Sequence, residues 1–229
     1  MFFPALMLAA AVGLPQDPPI AALGDEVTIG YTLSVGGKLM DSTEAQPPVV
    51  IQLGKRAWER GYVAFPFPGL DKALAGMKVG ESKQIDIPAS AGFGGLEVGG
   101  IPAGSDLTLD VKLLYLQKKG AEPAISIEEL APGEGPEAKA GDTLDVHYRG
   151  TFLNGLPFDN SYDRGQPFPV QLGAKRVIAG FDQGLMGMKK GQKRRVTIPY
   201  QLAYGEAGRP PSMPSKATLV FELEVLGIK

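Results

Sequence analysis

The sequence predicts an α+β fold that occurs twice, as two similar domains. First, the segment VHYRGTFLNGLPFDNSYDRGQPFPVQLG and the residues after it have a counterpart, VTIGYTLSVGGKLMDST and its continuation, about a hundred residues upstream. Second, each copy contains strands of alternating apolar and polar residues but only one short helical period. Each copy is therefore expected to be a twisted antiparallel β-sheet wrapped around one short helix.

The chain length agrees with this duplication. At 229 residues it accommodates two domains of roughly 100 residues, each with its own hydrophobic core. The segment QKKGAEPA is polar and contains glycine and proline, which is typical of a linker. We expect a signal peptide and spacer over 1–20, a first domain over 21–116, a linker over 117–124 and a second domain over 125–229.

The composition excludes several classes of function. A net charge of −2 offers no basic surface for neutralising phosphates, so nucleic acid is not an expected partner. Without cysteine, disulfides, thiolate metal sites and cysteine nucleophiles are excluded. The one histidine, His147, alternates with Val146 and Tyr148 and shares its strand face with Asp145 and Arg149. This pattern predicts a solvated side chain and no metal site.

The first 13 residues form an apolar run that ends in small residues, MFFPALMLAAAVG. The run is too short to span a bilayer but fits a signal-peptide core and cleavage site. It predicts export, to a periplasm or to the outside, with a mature chain that begins between Leu14 and Ala21. Because no lysine or arginine precedes the run, a cytoplasmic protein with a buried N-terminal strand is the alternative. Residues 14–23 are expected to form a proline-rich spacer.

Turn signals and periodicity define the elements inside each copy. Gly36-Gly37 in the first and Asn154-Gly155 in the second each follow an alternating strand, which predicts a β-hairpin in both. Apolar residues at helical spacing then predict one helix per copy, ended by Gly80 and Gly191. These helical residues are Leu70, Leu74 and Met77 in the first copy, and Phe181, Leu185 and Met188 in the second. A terminal strand closes each copy, with Leu107, Leu109, Val111 and Leu113 or Leu219, Phe221, Leu223 and Val225 on one face.

The second copy is rich in aromatic residues at strand, loop and helix positions: Tyr148, Phe158, Phe168, Phe181, Tyr204 and Phe221. Such residues also dominate ordinary cores, so a purely structural role is one interpretation. Their arrangement favours a pocket, because Phe158-Asp159 ends a hairpin, Val177-Ile178 precedes the helix and Tyr204-Gly205 opens a glycine- and proline-rich loop. An aromatic pocket with few polar groups suits a small apolar ligand with one or two carbonyls to be oriented.

These motifs, together with GMKKGQ, AYG and PSKATLVFELEVL, resemble the FKBP family of peptidyl-prolyl cis/trans isomerases, the macrolide-binding immunophilins, across 125–229. The resemblance implies two FKBP-like domains. It also implies that the second carries a catalytic pocket whose floor is Phe181, where the family frequently has tryptophan. The implied catalytic residues are Tyr148, Phe158, Asp159, Tyr204 and Phe221. The implied substrate-binding residues are Arg164, Phe168, Val177, Ile178, Phe181, Arg209 and Met213.

The resemblance also implies an activity. The expected substrates are proline-containing polypeptides, macrolides such as rapamycin are possible inhibitors, and neither cofactor nor metal is needed. The Ile178 N–H and the Tyr204 hydroxyl would hold substrate carbonyls, whereas Asp159 would either act directly or only shape the pocket. Arg209, Ser212 and Met213 stand where the family often has a histidine and two apolar residues, which affects substrate preference. Two alternatives are a non-catalytic chaperone or peptide-binding module, and a purely structural protein.

The first copy resembles the same family over 24–116 but has a degraded pocket. Tyr31 and Asp41 match, whereas no arginine corresponds to Arg164. The pocket aromatics are replaced by Met40, Val49, Leu70, Phe93 and Leu109. An insertion, KRAWERGYVAFPFP, carries Trp58, Tyr62, Phe65 and Phe67, which either pack on their own domain or form an exposed apolar surface. The first domain is therefore predicted to be folded but weakly active or inactive.

Overall fold

The structure, a computed structural model, describes residues 19–54 and 70–229. The predicted signal peptide and the Trp58 insertion lie outside the described residues, so both stay predictions. The strands are β1 (Glu26–Val35), β2 (Lys38–Ser42), β3 (Val49–Gln52), β4 (Ser82–Ile87), β5 (Leu107–Gln117), β6 (Ser126–Ala131), β7 (Thr143–Phe152), β8 (Pro157–Asn160), β9 (Phe168–Gln171), β10 (Lys193–Ile198) and β11 (Leu219–Ile228). The α-helices are α1 (Leu70–Leu74) and α2 (Ala179–Leu185), and the 3₁₀ turns are Ala89–Ala91, Tyr162–Arg164 and Tyr200–Leu202.

Two antiparallel sheets confirm the predicted α+β fold. The first has the strand order β2-β1-β5-β4, and the second has the order β6-β10-β11-β7-β8. In the first sheet, one edge of β1 pairs with β3 and then with β2. In the second sheet, one edge of β7 pairs in the same way with β9 and then with β8. This shared topology is the duplication seen in the sequence.

Each sheet buries one face, as the alternating pattern predicts. On β11, Leu219, Phe221, Leu223 and Val225 are all at most 5% exposed, and the corresponding residues of β5 are buried as well. The short helix of each domain packs its apolar residues into the same core, with Leu70 and Leu74 in the first and Phe181 and Leu185 in the second. The hairpins at Gly36-Gly37 and Asn154-Gly155 are also present.

The helices are shorter than the sequence predicts. They end at Leu74 and Leu185, so the expectation that Gly80 and Gly191 end them is wrong. Glycines closer to the helix, Gly76 and Gly187, adopt φ angles of 88° and 72°, which a right-handed helix does not allow. The methionines Met77 and Met188 are nevertheless buried, because the chain turns back over the core after the helix.

The N-terminal residues of the described part belong to the first domain. Ile20 forms a β-bridge with Lys78, and Ala21 is 2% exposed and donates its N–H to Met77 O at 2.9 Å. The predicted proline-rich spacer over 14–23 is therefore wrong for its last residues, since apolar contacts and backbone bonds hold them on the core. At the other end of the domain, Lys118 forms an ion pair with the buried Asp25 at 2.6 Å.

The second domain has a strand without a described counterpart in the first. Strand β6 pairs with β10, and Arg195 of β10 reaches Glu128 of β6 at 2.7 Å and Glu222 of β11 at 2.8 Å. In the part of the chain that the structure describes, β4 pairs only with β5. No helix among the described residues is long and apolar enough to cross a membrane.

Candidate active site

A cavity of about 560 Å³ opens on the concave side of the second sheet. Five aromatic side chains form its walls and floor, one each from β7, β8, β9, α2 and β11: Tyr148, Phe158, Phe168, Phe181 and Phe221. The rings meet edge to face, with centroids 5.0 Å apart for Phe181 and Phe221 and 5.6 Å apart for Tyr148 and Phe181. Edge-to-face packing fixes the rings against one another, so the cavity keeps its shape and its aromatic walls without a bound ligand.

The position of the Phe158 ring depends on Gly150 of β7. A Cβ atom at Gly150 would lie 2.6 Å from Cζ of Phe158 and 3.0 Å from Cε1 of Phe221. Gly150 lies directly opposite Phe221 in the β7–β11 register, so the glycine leaves room for both rings at the sheet surface. Sequence reasoning did not identify Gly150 as a site residue, although a glycine inside an alternating strand was a usable signal.

One side of the cavity is a hydrogen-bonded network of Tyr148, Asp159 and Arg164. The Tyr148 hydroxyl donates to Asp159 Oδ2 at 2.5 Å, and Arg164 donates to Asp159 Oδ1 and to the Tyr148 hydroxyl oxygen, each at 2.6 Å. The guanidinium also lies 5.4 Å from the centroid of the Tyr148 ring. Arg164 does not line the cavity itself but closes the network from outside.

This network keeps Asp159 ionised. Burial raises the pKa of Asp159, but the hydrogen bonds from Tyr148 and Arg164 outweigh it, so the pKa lies below its usual value. Burial and the adjacent carboxylate raise the pKa of Tyr148 above its usual value. The hydroxyl therefore stays protonated and acts as a donor, and the carboxylate stays charged and accepts.

The segment before α2 forms a second wall. Val177 and Ile178 line the cavity, and Asp182 of α2 holds the start of this segment by accepting from the Gly173 N–H at 3.0 Å. No hydrogen bond within the described residues uses the Ile178 N–H or the Tyr204 hydroxyl. Ile178 and Tyr204 both line the cavity, so their donors are available for carbonyl oxygens of a ligand.

The loop that follows Tyr204 forms the rim. We call residues 205–218 the rim loop. Arg209 and Met213 exchange two backbone hydrogen bonds, at 2.8 and 3.0 Å, and Met213 is only 5% exposed. Gly208, with φ of 67°, approaches Pro214 so closely that a Cβ atom would lie 2.2 Å from the proline carbonyl oxygen. The rim loop is thus a compact structure that depends on this glycine.

The structure brings the predicted site residues together. Every one of them lines the cavity except Arg164, which binds two that do. Sequence reasoning missed two cationic residues of the lining, Lys175 and Arg176, although their place immediately before Val177 was an available signal. Together with Arg209 they make the entrance of an apolar cavity positively charged.

His147 lies on the opposite face of β7 from the cavity, as the alternation predicts. It is partly buried rather than fully solvated, because the Tyr162 ring stacks on it with centroids 4.2 Å apart. Its Nδ1 lies 2.9 Å from Oγ of the buried Ser161. The histidine therefore supports the strand from behind and does not reach the cavity.

The first domain keeps the polar pair but has two leucines where the second domain has Gly150 and Phe221. The Tyr31 hydroxyl donates to Asp41 Oδ2 at 2.5 Å, matching Tyr148 and Asp159. Leu33 and Leu109, which lie opposite each other in the β1–β5 register, take the places of Gly150 and Phe221. Both leucines are fully buried, at 0% exposure. The side chains of Leu33 and Leu109 thus cover the part of the first sheet that corresponds to the surface on which Phe158 packs in the second sheet.

The fold and the site define a class of protein in which an antiparallel sheet packs around a short helix and carries an aromatic cavity. The family model described as FKBP-type peptidyl-prolyl cis-trans isomerase matches residues 18–114 and 135–226. The chain therefore belongs to this family, and it contains two domains of the family's type.

Several curated relatives are multidomain members of the family. Residues of the chain are 41% identical over 167 residues to peptidyl-prolyl cis-trans isomerase FKBP9 of Homo sapiens, covering 72% of the chain and 29% of that protein. They are 36% identical over 215 residues to FKBP10 of Mus musculus, covering 92% of the chain and 36% of that protein. The chain thus spans about a third of the length of these relatives. Among solved structures, that of FkpA from Escherichia coli matches 49% of the chain and 53% of its own, with 41% identity and a TM-score of 0.43.

Proposed function

We propose that the second domain catalyses cis/trans isomerisation of the peptide bond before proline in polypeptide substrates. The observation that carries this proposal is the aromatic cavity of about 560 Å³ with two unpaired donors in its lining. A proline ring fits among the aromatic side chains, and the carbonyls on either side of the prolyl bond meet the Ile178 N–H and the Tyr204 hydroxyl.

The chemistry requires no nucleophile and no proton transfer. The barrier to rotation, about 20 kcal/mol, arises from the resonance of the planar amide. A twisted amide has lost that resonance and is less dipolar, so water stabilises it less than it stabilises the planar form. Transfer from water to an apolar cavity therefore costs the twisted amide less than the planar amide. The pocket lowers the barrier because it binds the transition state better than the ground state.

Asp159 shapes the pocket in this proposal and does not contact the reacting bond. Both of its carboxylate oxygens are engaged by protein donors, Tyr148 on one side and Arg164 with the Asn160 N–H on the other. These bonds hold the Tyr148 ring edge-on to Phe181 and Phe221. Macrolides that place a compact apolar ring in the same cavity are proposed inhibitors.

The cations at the entrance define the substrates further. Lys175, Arg176 and Arg209 are exposed side chains that line the cavity mouth. A peptide with an acidic residue close to its proline would gain from them, whereas a basic residue would be repelled. The kcat/KM values of peptides that differ only in this residue should differ at low ionic strength. The difference should become smaller as salt screens the charges.

The activity is tested with the full chain on a proline-limited refolding reaction and on a short prolyl peptide. Catalysis at substoichiometric protein supports the proposal, and Phe221→Ala should remove most of it while the domain stays folded. Phe221 is 5% exposed and contacts three other rings, so its loss opens the cavity to water. Binding of unfolded protein without any catalysis would instead support a chaperone.

A further inference from the structure

Two loops of the second-domain site contact the first domain. Asn154, at the tip of the β7–β8 hairpin, donates from Nδ2 to the backbone carbonyls of Thr43 at 2.7 Å and Gln46 at 2.8 Å. Lys216, near the end of the rim loop, forms an ion pair with Glu26 of β1, with 2.8 Å between Nζ and Oε2. These contacts lie at separate points of the first domain, so together they resist rotation of one domain on the other.

The hairpin contact is close in sequence to the aromatic wall. The tip is a three-residue loop closed by a hydrogen bond from the Phe152 N–H to Leu156 O at 2.9 Å, with Gly155 at φ of 87°. Strand β8 starts at the next residue and carries Phe158 and Asp159 into the site. A tight loop transmits a shift at its tip to the following strand, because it has few torsions that can absorb the shift.

The ion pair holds the base of the rim loop. Lys216 adopts a φ of 55° and donates its N–H to Gly205 O at 3.2 Å, so it closes the loop on itself. Its Nζ lies 5.5 Å from the centroid of the Tyr200 ring. Tyr200 precedes the cavity residue Tyr204 by four positions in the sequence. Both charged side chains are partly buried, with 32% of Lys216 and 15% of Glu26 exposed. Glu206 of the rim loop also lies 3.9 Å from Lys216 but is 78% exposed, so Glu26 is the closer and more buried partner. Removing Glu26 takes away the stronger of the two ion pairs.

Ionisation of the pair agrees with this geometry. Burial lowers the pKa of Lys216, but the hydrogen bond to Glu26 and the charge of that carboxylate outweigh it, so the pKa lies above its usual value. Burial and the Glu26 carboxylate raise the pKa of Tyr200 as well. Lys216 therefore stays protonated at neutral pH.

We propose that the first domain is a clamp that positions the hairpin and the rim loop of the second-domain pocket. Glu26 and the carbonyls of Thr43 and Gln46 are its positioning groups, and they act through Lys216 and Asn154 without touching substrate. This inference rests on the proposed isomerase function for its kinetic consequence but not for the contacts themselves. It gives the first domain a role that does not require an intact pocket of its own.

The test uses the full chain and three single variants, Glu26→Gln, Lys216→Met and Asn154→Asp. The aspartate keeps the oxygen that accepts from the Leu156 N–H but loses the donor that binds both carbonyls. Each variant should lower kcat/KM for a prolyl peptide by about threefold to tenfold, a typical coupling between contacting groups. Amide hydrogen exchange should accelerate in 205–218 for the ion-pair variants and in 152–158 for Asn154→Asp.

The controls separate positioning from general stability. Lys193→Met removes a comparable ion pair, Lys193 to Glu224 at 3.1 Å, that lies wholly within the second domain. It should leave kcat/KM and the exchange of 205–218 unchanged. The double exchange Glu26→Lys with Lys216→Glu re-forms the pair and should restore much of the activity, whereas a loss caused by the missing contacts of Lys216 with Tyr200 and Glu206 would persist.

The two proposals fail in different ways. An unmodified chain without isomerase activity would overturn the proposed function, while the exchange measurements would still decide on the clamp. Normal exchange and normal kcat/KM in Glu26→Gln, Lys216→Met and Asn154→Asp would overturn the clamp. The clamp would also be overturned if kcat/KM fell in parallel with thermal stability in Lys193→Met as well as in the three other variants. The effect would then not depend on the first domain.

Discussion

At the scale of single residues, the two domains differ not only in their pocket aromatics but also in side-chain size at one pair of facing positions. The second domain has Gly150 opposite Phe221, and the first has Leu33 opposite Leu109. A glycine beside large rings leaves a surface on which another ring can pack, whereas two leucines cover the corresponding part of the sheet surface. The aromatic residues were predictable from the sequence, but Gly150 became informative only when the strand register was known.

Gly150→Leu should therefore convert the second pocket toward the first. Because a Cβ atom at this position would lie 2.6 Å from the Phe158 ring, the ring must leave its place. We expect a loss of at least about tenfold in kcat/KM, corresponding to 1.4 kcal/mol or more of transition-state stabilisation. A peptide assay with thermal unfolding in parallel checks this, and full activity in the folded variant would contradict the assigned role of Phe158.

The Tyr204 hydroxyl offers a milder test of the same pocket. Tyr204→Phe keeps the ring and removes one donor, so kcat/KM should fall by the worth of one hydrogen bond, about 1 kcal/mol. Phe221→Ala, which also removes apolar wall, should cost more. If both variants retain full activity on a prolyl peptide, the cavity is not the catalytic site.

Asp159 gives the site a pH dependence with a definite sign. Its folded pKa is lowered, so its stabilising contribution is complete above the unfolded pKa of about 3.9 and is lost as pH falls further toward the folded pKa. We expect kcat/KM to be flat through the neutral range and to fall only in strong acid. In Asp159→Asn the free energy of unfolding should depend less on pH over that acid range. An unchanged slope in acid denaturation would show that the Tyr148–Arg164 network does not depend on the charge of Asp159.

At the scale of elements, strands were more predictable than helix ends and loops. The buried faces of β1, β5 and β11 follow from alternation, because every second side chain of a strand faces the same side. The ends of α1 and α2 were placed too late, since the buried Met77 and Met188 extended an apparent helical period beyond glycines at positive φ. Burial alone does not distinguish a helical turn from a chain that folds back over the same core.

The rim loop is the element with the sharpest local requirement. Gly205 and Gly208 both have positive φ, of 70° and 67°, but only Gly208 also packs against backbone. Gly205→Ala should cost only the conformational strain, about 1 kcal/mol. Gly208→Ala should additionally displace the Pro214 backbone, so it should lower kcat/KM more than its matched control does. Equal effects of the two substitutions would mean that the packed shape of the rim loop is not needed for binding.

At the scale of the whole molecule, duplication has produced two domains that share an arrangement of five strands around a short helix, to which the second domain adds β6. The sequence predicted the repeat and the family, and both are confirmed, whereas the weaker pocket of the first domain stays a prediction. It did not predict that Asn154 and Lys216 reach the other domain, because such contacts join positions 111 and 190 residues apart in the chain. Contacts of this range depend on how the domains dock, which no local pattern encodes.

Catalysis by the full chain should therefore come almost entirely from the second domain. Met40→Ala, which changes the first-domain counterpart of Phe158, should leave kcat/KM unchanged, whereas Phe158→Ala should abolish most of it. The lost ring contacts of the first pocket, each roughly 1 kcal/mol, imply turnover lower by on the order of a hundredfold. Comparable losses in both variants would show that the first pocket is active despite Leu33 and Leu109.

The hairpin tip also sets a chemical lifetime for the molecule. Asparagine followed by glycine loses ammonia readily, because the glycine backbone nitrogen can attack the side-chain carbonyl with little steric hindrance, and asparagine is among the thermolabile residues. In the docked chain the Asn154 amide is held by two carbonyls and the Gly155 N–H is bonded to Phe152 O at 2.9 Å. Docking thus protects the side-chain amide of Asn154. Slow conversion of this residue to aspartate would remove the donor that binds both carbonyls of the first domain. Ageing at this site would then be irreversible, since each opening of the interface exposes Asn154 and its deamidation would keep the interface open.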